Sequence, residues 1–219
     1  MILDIKPLSE KLLYEKMATF DFKNPPINPI ELANNLIETM HHNKGLGLSA
    51  NQCGLPYRVF VLWSEKPLVC FNPRIVDQTS EGVLMEEGCL SYPHLHIKIR
   101  RPKVIKVRFA DVTGEIQNET FVGMTARCFL HELDHLDGVV FTRRAMGPHL
   151  SRALNQQKQL ERQFKRGEVR YKESELPIGL SDRLVEKLSK TALLNPEESE
   201  ALTAPTIDLT PTAKTISLS

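Results

Sequence analysis

Two histidines four residues apart, with a glutamate directly after the first, form the densest cluster of reactive side chains in this chain: His131-Glu132-Leu133-Asp134-His135. Residues at i and i+4 project from one face of an α-helix, so both imidazoles could reach one metal ion with Glu132 at its flank. For an arbitrary pair at this spacing, two histidines on a surface helix would be the ordinary explanation. The apolar residues around the pair, and a glutamate at the spacing used by metallohydrolases, weigh against it. A catalytic site of this type needs a third protein ligand and an open position for water. Cys128 shares the helical face but lies seven residues from His135, about 10 Å of helix rise, too far for both to bind one ion. It reads as a small core residue, and Cys53 and Cys70, beside or inside β-like runs, read as buried thiols. Cys89 differs. It sits in Glu87-Gly-Cys-Leu-Ser91, where Gly88 permits a tight turn and Leu90 places an amide N–H directly after the thiol. Taken alone, such a cysteine is more often structural than catalytic.

These groups must be positioned by surrounding elements. Asn28-Pro-Ile-Glu carries a capping side chain, proline at the first helical position and a glutamate three residues after the cap, so a helix is expected to run from there to His42. Ile30, Ala33, Ile37 and Met40 supply its apolar spacing. The runs Tyr57 to Trp63, Leu68 to Val76 and Lys103 to Phe109 are rich in β-branched and aromatic residues, which makes the middle of the molecule mostly strand. Thr125 is expected to cap a second helix carrying Ala126 to Leu136 and stopping at Gly138. A third is expected from Pro148 to about Lys165. After Arg166 the chain is broken by Pro177, Pro196, Pro205 and Pro211, and only Ser181 to Leu194 has a helical pattern; beyond Pro196 the composition favours an extended or disordered tail.

With 28 basic against 27 acidic residues, the net charge of +1 supplies no global field to draw in nucleic acid or an anionic membrane, and neither is expected as a partner. Residues 1–20 lack the apolar core of a signal peptide, and no run of ~18 apolar residues follows. The expectation is a soluble, unexported protein whose four cysteines are thiols in a reducing compartment.

Three motifs together resemble those of the peptide deformylase family: G-φ-G-φ-A-A-x-Q at Gly45 to Gln52, E-G-C-φ-S at Glu87 to Ser91 and H-E-x-D-H at His131 to His135, with φ apolar. The resemblance covers residues 1–165 and departs at Ser49, where the first motif has Ala, and at Leu130, where Gln is usual. It implies an α+β fold whose antiparallel or mixed strands wrap around a central metal-binding helix, followed by a C-terminal helix. Residues 1–165 would be the catalytic domain and 166–219 an extension on which the family is silent.

The resemblance further implies that Cys89, His131 and His135 bind one divalent ion, with Fe2+ as the active form and Zn2+, Ni2+ or Co2+ as alternatives. Glu132 would be the general base and acid; Gln52 and the Leu90 N–H would stabilise the charge on the formyl oxygen. Gly45 and Gly47 would let the backbone approach the substrate closely, and Leu46, Met85, Met124 and Cys128 stand at positions of the apolar pocket for the N-terminal methionine, with plain core packing the default reading of Met85 and Met124. Behind the ligands, Glu87 would pair with Arg101, and Asp134 would accept a ring N–H from a ligating histidine. The implied activity is hydrolysis of the formyl group from formyl-methionyl nascent polypeptides, releasing formate, in a bacterial or phage-infected cytoplasm or in an organelle, with transient contact to the ribosome. A zinc endopeptidase would share the helix but take His or Glu as third ligand, and Cys89 in E-G-C-L-S argues against it. A non-catalytic relative would be marked by loss of Glu132 or Gln52, and both are present.

Overall fold

The computed structural model describes residues 1–64 and 66–166. The extension beyond Arg166, with the helix expected over 181–194, lies outside the described residues. Helix α1 (Pro29–His42) starts where the capping signature places it: the Asn28 side chain accepts hydrogen bonds from the Ile30 and Glu31 amides. Its stripe of Leu32, Leu36 and Met40 is fully buried.

Five strands, β1 (Gly47–Ser49), β2 (Val59–Trp63), β3 (Pro67–Gln78), β6 (Val104–Ala110) and β7 (Ile116–Val122), pair antiparallel in the order β1-β2-β3-β6-β7. Strand β2 explains the layering. Successive side chains of a strand point to opposite faces, and here Val59 and Val61 join the core under α1, whereas Phe60 and Leu62 join a second core under α2 (Gly123–Leu136). Strands β4 (Gly82–Cys89) and β5 (Tyr92–Pro102) form a separate two-stranded antiparallel sheet. Its alternating Leu95, Ile97 and Ile99 pack with Phe141 and with Ala153 of α3 (Gly147–Arg166). Helix α2 thus lies between the two sheets, and from Phe129 to Leu136 every residue is buried.

The architecture agrees with the expected α+β fold around a central helix, and all strand pairings within the sheets are antiparallel. One boundary differs. Helix α2 begins at Gly123 rather than after a Thr125 cap, because Gly123 adopts φ 59° and turns β7 directly into the helix with no side-chain cap.

Candidate metal centre

Cys89 closes β4, while His131 and His135 stand one turn apart on the facing side of α2. Their ligand atoms all lie within 4.8 Å of one another, with Cys89 Sγ 3.2 Å from His135 Nε2. A register shift between Glu87 and Cys89, at Gly88, bends the strand as it reaches the centre. His131 Nδ1 lies 3.2 Å from Glu87 Oε2, which leaves its Nε2 for an ion.

The electrostatics suit a cation. Burial works against a charged His131, but the neighbouring Cys89 and Glu87 outweigh it and push its pKa up to about 10. A bound ion would take the place of that proton. Burial, with positive charge on His131, drives His135 well below its ordinary value, so it stays a neutral donor. A thiol and two imidazoles at this spacing therefore fit a tetrahedral divalent ion with one position left open.

Behind the ligands lies a buried charge network. Arg101 holds Glu87 through two hydrogen bonds of 2.7 and 2.8 Å and reaches Asp134 at 2.7 Å. Arg127 also binds Glu87, at 2.5 Å, and the partly exposed Arg144 binds Asp134 at 2.6 Å. The Glu87–Arg101 pair thus forms as expected, but in the interior, and Arg101 and His131 outweigh burial to lower the Glu87 pKa to about 2. Asp134 departs from expectation. Its carboxylate accepts from Arg101 and Arg144, and it is Glu87 that stands at a histidine ring. Arg127 and Arg144 were not anticipated from the sequence, although Arg127 lies one turn before His131 on the same helical face.

On the open side, Gly45, Leu46, Gly47, Met124 and Cys128 line a cleft of about 160 Å³ together with Gln52, Leu90 and Glu132. Met85 does not line it. It lies four residues before Cys89, opposite Ile99, roughly 13 Å along an extended strand. Gln52 is held by its carbonyl oxygen, which accepts from the Ser49 amide at 3.0 Å and the Ser49 hydroxyl at 2.9 Å. Its amide nitrogen consequently faces Cys89 Sγ at 3.5 Å and Ser91 Oγ at 3.2 Å. Asn51, likewise missed in the sequence, donates to the His135 carbonyl at 2.7 Å and ties this turn to α2.

Burial raises Glu132 to about 7, a value suited to taking and returning a proton near neutrality. Its Oε2 is buried without a hydrogen-bond partner among the described residues. Gly47 is the reason the carboxylate fits: a β-carbon there would lie 2.5 Å from Glu132 Oε1. We expect Gly47→Ala to keep the fold and the metal but displace this carboxylate, lowering kcat on the order of 100-fold, since ~1 Å misplacement of a reacting group can cost that much. Parent-level kcat in a metal-replete Gly47→Ala sample would show that the close approach has no catalytic use.

Comparison with known proteins gives a consistent result. Residues 2–150 match the family model of polypeptide deformylase. A peptide deformylase of Pseudothermotoga lettingae is 38% identical over 141 residues, 64% of this chain and 81% of that protein. One of Thermotoga neapolitana is 44% identical over 106 residues, 48% of this chain and 65% of that protein, so the match spans slightly less than two thirds of that relative. Among solved structures, the peptide deformylase of Thermotoga maritima superposes with a TM-score of 0.64 at 34% identity, covering 67% of this chain and 99% of that one. The Synechococcus elongatus enzyme in complex with actinonin gives 0.65 at 30% identity, covering 71% and 86%.

Proposed function

The chain belongs to the polypeptide deformylase family, and on that premise we propose that it hydrolyses the N-formyl group of formyl-methionyl polypeptides to formate and a free amine. The observation that carries this reading is the convergence of Cys89, His131 and His135 at the wall of a cleft that Cys89, His131, Glu132 and Gln52 line. These three ligands would hold a divalent ion, which when bound supplies Lewis-acid chemistry and makes water nucleophilic near neutral pH. Glu132 takes the proton released on attack and returns it to the departing amine. The Gln52 amide, aimed by Ser49, and the Leu90 N–H donate to the formyl oxygen as it gains charge. Leu46, Met124 and Cys128 enclose the methionine side chain.

One thiolate with two imidazoles accepts zinc, iron, cobalt or nickel. Ferrous iron as the native ion is part of the proposal, carried by the resemblance alone. So are a cytoplasmic location, transient contact with the ribosome from which such substrates emerge, and the division into a catalytic domain over 1–165 and an extension. Formate release from formyl-Met-Ala-Ser by anaerobically purified, metal-analysed protein tests the activity. Cys89→Ala is expected to lose the ion and the activity together. A full metal complement in that variant would remove Cys89 from the ligand set, and no formate from the metal-loaded parent would refute the reading.

A further inference from the structure

The substrate cleft borders a second groove. His94 and His96 of β5 form part of the cleft wall, and the same two residues line the groove, of about 290 Å³, whose other wall is α3. Gln156, Gln159 and Gln163 of that helix face the histidines, with Leu160 among them. Positions 156, 159, 160 and 163 share one helical face and span about 10 Å, the length of roughly three residues of extended peptide. The helix is held to β5 by Gln157, itself part of the lining, which donates to the Pro93 carbonyl at 3.2 Å.

The chemistry of this groove is specific in what it omits. Among the described residues, no carboxylate, lysine or arginine lines it. A carboxamide side chain carries two donors and an acceptor with two lone pairs, so it can pair with both the N–H and the C=O of a peptide group. Such a lining selects neither an anion nor a cation, and suits a main chain whose side chains vary.

We propose that the groove between β5 and α3 is a further subsite of the enzyme, one that binds the main chain of residues downstream of the first two or three in a formyl-methionyl polypeptide. Its occupant follows from adjacency: a chain that leaves the cleft along His94 and His96 passes the two side chains that also line the groove. The inference rests on the deformylase reading and refines it. An enzyme acting on many nascent chains gains affinity from their common backbone without restricting their sequence.

The test compares formyl-Met-Ala-Ser with a six-residue formyl-Met peptide of alanines and serines. The longer peptide is expected to show the same kcat and a KM about 5-fold to 25-fold lower, the range for one or two net hydrogen bonds. Substituting Gln156→Ala together with Gln163→Ala, changes that favour the helix, is expected to return the hexapeptide KM to the tripeptide value. N-methylation of the hexapeptide at its fourth and fifth residues should do the same, since it removes main-chain donors. Equal KM for both lengths, or an advantage that survives the double substitution and the N-methylation, overturns the proposal. Absence of formate even from the tripeptide would instead refute the deformylase reading itself, so the two failures are separate.

Discussion

Glu132→Gln is expected to retain its ion and lose turnover by ~10²–10⁴, the usual contribution of a positioned acid–base group. The substitution preserves shape in a confined place, where Gly47 leaves just enough room for the side chain. It also removes the one group in the cleft whose pKa burial raises to about 7. His131, His135 and Cys89 are untouched, so metal content separates this defect from loss of the centre. A Glu132→Gln sample with full metal and parent kcat would show that the proton travels by another route.

The second large effect is structural. Arg101→Ala is expected to cost about 3–5 kcal/mol of stability, because it leaves the buried carboxylates of Glu87 and Asp134 short of a partner. At this size each kcal/mol moves Tm by about 2–4 °C, so a fall on the order of 10 °C is the expected reading. Metal affinity should fall with it, by about 10-fold to 100-fold, since Glu87 would no longer hold the His131 ring in one orientation. Arg101→Lys should recover part of the stability but less of the affinity, because an ammonium cannot place parallel donors on Glu87 and a further one on Asp134. Parent-like Tm and affinity in Arg101→Ala would mean that Arg127 and Arg144 hold the carboxylates alone.

The ligand set was legible because helical spacing and three short motifs carry it within local sequence. Helix α1 was equally legible, since its cap is a local hydrogen bond made by Asn28. What escaped notice depends on partners distant in the chain. Arg127 and Arg144 look like surface charges until β4 and the segment after α2 bring them to Glu87 and Asp134. Asp134 was assigned to a histidine because sequence reveals proximity along a helix, not which of several cations folds in beside it. Strand β7, IQNETFV, is an edge strand with mostly exposed polar residues and offers little hydrophobic alternation to read. Met85 stands at a pocket position by resemblance, yet strand geometry carries it away from the cleft, which proximity to a motif does not reveal.

The hairpin of β4 and β5 shares no ladder with the five-stranded sheet. Backbone hydrogen bonds tie the two where β3 and β6 run into the hairpin, from Thr79 N–H to the Val104 carbonyl and from Lys103 N–H to the Glu81 carbonyl; at the metal centre, α2 with its buried Arg127 and the site side chains hold them together. Local opening favours the end of such a seam far from that junction, where side-chain contacts rather than a backbone ladder must be broken. Cys89 lies on one bank and both histidines on the other. The seam that would part first under thermal fluctuation is thus the one the ion closes, and occupancy of the centre sets how far the two halves breathe independently.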